Sequence, residues 1–318
     1  MLTYIIPFII LILVVVFIHE YGHYYFARKY GVGVTDFSIG FGQEIFGWND
    51  KHGTRWKICW IPLGGYVKFF GDRNVFSQAD HEKILKQYNE EDQEKLFVIK
   101  PLYQRALIVF GGPLANFLLA IAIFFCIYTF VGKDFTPAVI NEVQKDSPAM
   151  IGGLKDNDII LEIDGNKVES IMDVSKYITT STGDVIDFKV ERFDQEYLLK
   201  IKPNIVLSDD NLGNKVNKRM VGIKLGAVNN KINHVKLGPA QALIQSVKEV
   251  YFVSTSSLKY IGTMLTGSGD SSQLGGPIRI AKITGQVAEI GILPFISIMA
   301  YISIRLGLIN LFPIPMLD

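Results

Sequence analysis

Residues Ile5 to Ile18 carry no charge, and the run leads into His19-Glu20-Tyr21-Gly22-His23 before the first cations, Arg28 and Lys29. A stretch of this length and polarity can cross a bilayer. In lipid its backbone must satisfy its own hydrogen bonds, so it has to be helical. Residues four apart share a helix face, so the two imidazoles project together. That spacing suits two nitrogen ligands on one tetrahedral Zn²⁺. Glu20, beside the first histidine, can act as general base on a water. A bare H-E-x-x-H occurs on many surface helices, and a plain anchor with a polar tail is the competing reading. The apolar setting favours the metal site, because ionisable groups at bilayer depth are costly unless they function.

The 318 residues suggest about two domains. Charged residues are only 20% of the chain, which points to several membrane spans. A formal net charge of +1 implies no nucleic-acid partner. The two cysteines, Cys59 and Cys126, make no disulfide framework and read as small buried residues. Residues 1–30 contain no basic residue before the apolar run and no small-x-small cleavage site, so they read as a span rather than a signal peptide. The positive-inside rule then puts the N-terminus outside and Arg28 onward in the cytoplasm, with the metal site toward the cytoplasmic side.

Residues 31–105 hold Phe37 to Gly42 and Trp56 to Lys68, short strands broken by glycines and rich in interfacial aromatics. A hairpin dipping toward the site, offering its edge to an extended substrate, and an ordinary cytoplasmic meander fit this pattern equally well. A charged loop with a short helix follows at 77–100. His52 and His81 fall in turns and loops. Residues 106–132 form a second charge-free span opening on Gly111-Gly112-Pro113-Leu114-Ala115-Asn116. Small residues allow close helix approach, and Asn116 needs a polar partner at that depth. It is either part of a generic packing face or a support for the metal helix.

Residues 133–205 alternate strands, turns and a helix at 171–180, and resemble a PDZ domain. Asn157 stands where such domains carry Gly, and asparagine tolerates the left-handed turn. Residues 206–290 read as linker followed by an amphipathic helix from Gly238 to about Leu265, with the composition of a membrane-surface helix. A third span, 291–318, contains Arg305 and ends irregularly through Pro313 and Pro315. Irregular backbone at that depth needs protein or a wet cavity around it. Asp318 is thereby placed as an oxygen ligand beside the histidine pair. An isolated Asp there would otherwise be a helix end, and none of His52, His81 or His234 has helpful spacing.

His19-Glu20-x-x-His23, Gly111 to Asn116, the PDZ-like module, Gly276-Pro277-Ile278 and Asn310-x-x-Pro313-x-Pro315-x-x-Asp318 together resemble the site-2 protease family of intramembrane zinc metalloproteases, peptidase family M50. The likeness is strongest to its bacterial regulator of sigma-E protease branch. The resemblance covers nearly the whole chain. It implies Zn²⁺ held by His19, His23 and Asp318, with Glu20 activating water. It also implies Asn310 on the substrate backbone and Gly40-Phe41-Gly42, with Gly64 and Gly65, in a membrane-associated substrate-binding hairpin. Asn116, Gly112 and Pro113 would be structural support, and the PDZ-like module a filter for substrates already trimmed by another protease. The chain departs from the family pattern at Arg305, where asparagine is usual. It also stops where Gly-Gly and a further span normally follow, so it reads as C-terminally truncated.

The expected fold is a polytopic α-helical membrane protein with an inserted PDZ-like α+β domain and a membrane-associated β-hairpin region. The expected function is cleavage of single-pass membrane proteins in the bacterial inner membrane, with the PDZ-like module on the periplasmic side. Two rivals remain at this stage. One is a membrane metalloprotease acting on soluble peptides, the other a membrane-anchored peptide-binding receptor without catalysis.

Overall fold

The computed structural model describes residues 2–71, 88–209, 215–227, 233–266 and 276–312. Asp318, Pro313, Pro315, His81 and most of the 266–276 linker lie outside the described residues. The chain forms two compact units, residues 1–124 with 280–318, and residues 125–279.

The first unit is built on α1 (Leu2–Lys29). Long aliphatic side chains and the absence of any charge before Glu20 make it a membrane helix, and Arg28 and Lys29 close its last turn. After Gly31, in the left-handed region, come β1 (Val34–Asn49) and β2 (Arg55–Phe69). These two strands fold back on themselves. Residues 34–39 pair with 65–69 on one side and with 55–58 on the other, and residues 44–49 pair with 55–59. The result is a four-segment sheet whose edges are 44–49 and the stretch ending at Phe69. Phe37, Ser38, Thr54 and Cys59 are buried, while Phe41, Ile45, Phe46, Trp48, Trp60, Ile61 and Leu63 are exposed.

Helix α2 starts at Leu102 and runs as α-helix to Cys126 before a π-helical end, Ile127–Val131. A later short helix, Pro277–Ile290, leads through Gly291 into a final helix, Ile292–Ile309. Three helices, Thr3–Lys29, Leu102–Val131 and Ile292–Ile309, are long and apolar enough to cross a membrane. Leu11 and Val15 of α1 pack on Phe295 and Met299 of the final helix, with Leu119 and Ile123 of α2 beside them. Ser303 donates its hydroxyl hydrogen to the Asn116 carbonyl at 2.9 Å, and Gly307 brings the final helix onto Pro113. The His19–His23 end of α1 thus lies where three helices converge.

The second unit contains β3 (Lys133–Asp134), β4 (Val139–Val143), α3 (Pro148–Ile151), β5 (Ile159–Ile163), β6 (Asn166–Lys167), α4 (Ile171–Thr180), β7 (Ile186–Arg192) and β8 (Gln195–Ile201). The chain continues through β9 (Asn204–Asp209), β10 (Lys215–Met220), β11 (Ile223–Gly226), β12 (His234–Val235) and α5 (Pro239–Leu265). The final two helices just described are α6 (Pro277–Ile290) and α7 (Ile292–Ile309). The principal sheet runs β11-β4-β5-β7-β8 with β6 on β5. Alternation places Ile186, Phe188 and Val190 of β7 inward. They meet Ile140, Ile160, Ile163 and Ile201, with Val174 and Ile178 of α4 covering the layer. Ser170 and Asp173 form a capping box at the start of α4.

The PDZ-like sheet therefore extends past residue 205. Strand β11 joins it by pairing with β4, Ile223 opposite Val143. Sequence pattern gave no strand here because 206–236 is polar and its short strands lack a long alternating run. Asn157 does occupy the left-handed region, at φ 69°.

Candidate metal centre

His19 and His23 sit one helical turn apart on α1, 3% and 8% exposed, and their Nε2 atoms stand 3.2 Å from each other. Each ring is held at its far nitrogen. His23 Nδ1–H donates to the Ile108 carbonyl of α2 at 2.9 Å. A carbonyl only accepts, so the proton is on Nδ1 and Nε2 presents a lone pair. His19 Nδ1 lies 3.1 Å from the side-chain amide of Asn116. With the amide nitrogen turned to the ring, Asn116 Oδ1 is buried without a partner. Turning the amide over, which costs nothing in shape, lets Oδ1 accept from His19 Nδ1–H and removes the orphan. The contact on the other side of the ring agrees, because Asn310 Nδ2 donates to His19 Nε2 at 3.0 Å.

Both imidazoles are then neutral with their Nε2 lone pairs converging. Two nitrogens each about 2.0–2.1 Å from a tetrahedral zinc stand about 3.3 Å apart. The observed 3.2 Å matches that edge. The donor set and its outer hydrogen bonds fit Zn²⁺, with second partners fixing the tautomer of each ligand. Among the described residues no group of three His, Cys, Asp or Glu side chains has metal-binding spacing. The oxygen ligand expected from Asp318 falls outside the described residues.

Glycines set how closely the elements approach. A Cβ on Gly22 would lie 2.2 Å from the Gly111 carbonyl oxygen, and one on Gly111 2.7 Å from that of Gly22, so α1 and α2 cross backbone to backbone. A Cβ on Gly112 would lie 2.2 Å from His23 Nε2 and 2.8 Å from His19 Cε1. The missing side chain at 112 is the space in front of both imidazoles. Pro113 follows it inside the helix and removes one backbone donor at this level.

Glu20 is 8% exposed and lies against the hairpin. A Cβ on Gly65 would come within 3.1 Å of Glu20 Cγ and 2.9 Å of Val16 Cγ1, so only glycine lets this edge segment reach the carboxylate helix. Gly40, at φ 84°, passes the Ile61 carbonyl, and Gly64, at φ 117°, lies under the ring of Phe41. Gly42 is also left-handed, at φ 89°. The structure thus brings Gly65 to Glu20, Gly40 to Ile61 and Gly64 to Phe41, all on one sheet.

The sheet is moored one residue beyond His23. Tyr24 OH and Trp56 Nε1 donate to Asp50 Oδ2 at 2.9 and 3.1 Å, and the His52 and Thr54 amides donate to Oδ1. Burial alone would raise the Asp50 pKa. The hydrogen bonds, led by the Trp56 indole, overrule it and hold the carboxyl at about 2. Phe37 stacks on Trp56 with ring centres 4.1 Å apart, and Tyr24 meets both rings edge-on. Sequence reasoning left Asp50 and the Ile108 carbonyl out of the site. An aspartate in a turn and a backbone oxygen carry no motif. Asn310, which the resemblance placed on substrate, here touches the His19 ring.

Comparison with known proteins identifies the family. The model of Peptidase family M50 matches residues 7–318. A relative from Agrobacterium fabrum named "Putative zinc metalloprotease Atu1380" is 41% identical over 99% of this chain and 83% of its own length. "Metalloprotease MmpA" of Caulobacter vibrioides is 33% identical over 96% of this chain and 81% of its own. Among solved structures, the PDZ domain of the SdrC-like protein from Listeria monocytogenes aligns with 29% of this chain and 88% of its own, at 27% identity and a TM-score of 0.24. A model matched over nearly the whole chain, with a paired-histidine centre on an apolar helix, settles the lineage: this membrane protein belongs to peptidase family M50, the site-2 protease family of zinc metalloproteases.

Proposed function

We propose that this zinc metalloprotease hydrolyses peptide bonds within the membrane-spanning segments of single-pass proteins. The observation that carries the reading is the convergence of two histidine Nε2 atoms, 3.2 Å apart and buried, on a helix apolar enough to span the bilayer. His19 and His23 would hold the metal, with Asp318 as oxygen ligand. Bound zinc supplies Lewis acidity toward the scissile carbonyl and makes a water easier to deprotonate. Glu20 takes the proton of the attacking water and delivers it to the leaving amine.

A substrate helix must open first, because its carbonyls are hydrogen-bonded and shielded. The exposed backbone needs partners in lipid. The sheet edge around Gly64 and Gly65 lies against Glu20, so a substrate strand added there would bring a peptide bond to the carboxylate. Gly40, Phe41 and Gly42 shape the same sheet, whose exposed aromatic residues would meet lipid. Lys29 is ten residues beyond His19, about 15 Å along a helix. With Arg28 and Lys29 in the cytoplasm, this puts the site inside the slab, nearer the cytoplasmic face. The PDZ-like module then stands outside the inner membrane, where it screens substrates already shortened by another protease.

Glu20→Gln separates the roles. The variant should keep stoichiometric zinc and lose cleavage of a single-pass test substrate in reconstituted vesicles. Wild-type-like turnover would remove Glu20 from the chemistry. Cleavage confined to soluble peptides would move the reaction out of the bilayer.

A further inference from the structure

Hydroxyls inside the helices of this chain commonly turn back on their own backbone. Ser246, Ser254, Thr284 and Ser297 each donate to the carbonyl four residues earlier. Ser303 of α7 does otherwise. It is fully buried, and its hydroxyl crosses to α2, where it donates to the Asn116 carbonyl at 2.9 Å. Such a bond ties two helices together in the apolar interior.

The neighbours of Ser303 on α7 show what that tie aligns. Ser303, Gly307 and Asn310 are spaced i, i+4, i+7, so they lie on one stripe. Ser303 meets the Asn116 backbone. A Cβ on Gly307 would stand 3.1 Å from the Pro113 carbonyl oxygen and 3.2 Å from Asn116 Cβ, so the helices touch there. Asn310 reaches His19 Nε2 at 3.0 Å. Asn116 in turn holds the other nitrogen of the same ring, Nδ1, at 3.1 Å. The His19 imidazole is therefore gripped at both nitrogens by amides from two helices. The Ser303 hydroxyl joins those helices at the residue that supplies one of the amides.

Contact at Gly307 lets α7 come close, but apolar contact does not say which turn of α7 faces Asn116. The hydrogen bond does. Sliding α7 by one residue moves the stripe about 1.5 Å along the axis and about 100° around it, which takes the hydroxyl off the carbonyl.

We infer that Ser303 is a positioning residue of the zinc centre. Its hydroxyl sets the register of α7 on α2, and with it the level at which Asn310, and the chain leading on to Asp318, meets the His19 ring. It acts through Asn116 and Asn310 rather than on metal or substrate. The inference rests on the zinc-protease reading and adds to it a residue outside the His-Glu-x-x-His and Asn-x-x-Pro patterns.

The test measures zinc affinity of the full chain by competition with a chelator, and the visible absorption of the cobalt-substituted centre. Ser303→Ala removes the hydroxyl without adding bulk. It should weaken zinc binding by about 3–10-fold, less than the about 10–100-fold expected for a direct outer partner of a ligand, and shift the cobalt bands. Ser297→Ala removes a hydroxyl that bonds within the same helix, and should leave both readouts unchanged. Wild-type affinity with unmoved cobalt bands in Ser303→Ala would overturn the inference. So would equal weakening by Ser297→Ala, which would trace the effect to general loosening of α7. A wild-type chain without stoichiometric zinc would instead fell the metal-centre reading, and the inference with it.

Discussion

The PDZ-like module and the metal centre are held together in opposite ways. In the module, polar groups are paired at the edges of a broad core, which is an alternation of apolar residues. Asp158 is fully buried, yet Arg192 meets it through two hydrogen bonds at 2.6 and 2.7 Å from the adjoining hairpin. In the metal centre each polar group is satisfied from afar. His23 is oriented by a carbonyl 85 residues away, and His19 by amides 97 and 291 residues away. A broad apolar core dominates the first region. The second needs backbone-level approach of helices, which only glycine permits, so that polar groups can find each other away from water. The lesson is that a site in lipid is specified by absent side chains as much as by present ones.

The largest effects should therefore fall on glycines of the centre. Gly112→Val places carbon against both ligand rings and should abolish zinc binding, read as metal content of the purified protein. Retention of full stoichiometry would show that the helices give way easily and would break the contrast. In the module, Phe188→Ala should cost about 3–5 kcal/mol of its stability by leaving a cavity. Thermal unfolding of that unit should shift while zinc content stays unchanged. A parallel loss of zinc would show that the two regions are not energetically separate.

Asn116→Leu keeps volume and removes the group that orients His19. Zinc affinity should fall about 10–100-fold, the usual effect of deleting an outer partner of a ligand. The Asp50 mooring predicts a pH dependence. A carboxyl whose pKa is depressed from 3.8 to about 2 in the folded protein stabilises it above pH 4. That contribution fades as pH falls from about 4 to about 2, seen as loss of Trp56 fluorescence shielding, and Asp50→Asn should remove the step. Least of all, Asn157→Gly should change module stability by under about 1 kcal/mol, because asparagine already tolerates the left-handed turn it occupies.

Much of this was legible in residue order. The apolar run before His19 dictated a helix, and i, i+4 spacing dictated that the imidazoles share a face. Gly111 to Asn116 announced close packing and a polar group in need of a partner, and the Asn157 turn survived its departure from the usual glycine. What was hidden depended on folding at a distance. The folded-back register of β1 and β2 cannot be read from glycine positions, since two strands that each bend allow several pairings. Strand β11 was missed because its four residues join a sheet whose other strands lie upstream. The Ile108 carbonyl has no signature in sequence at all. Asn310 was assigned by resemblance to a substrate contact. Its place beside His19 follows from how α7 packs on Pro113, which no local pattern encodes.

The central claim is that His19 and His23 are zinc ligands inside the bilayer. Zinc K-edge absorption on the reconstituted, metal-loaded protein tests it most directly. The expected spectrum shows one zinc per chain with nitrogen and oxygen ligands at about 2.0–2.1 Å, the multiple-scattering pattern of two imidazoles and no sulfur shell at about 2.3 Å. A sulfur shell, fewer than two imidazoles, or no stoichiometric zinc would contradict the account.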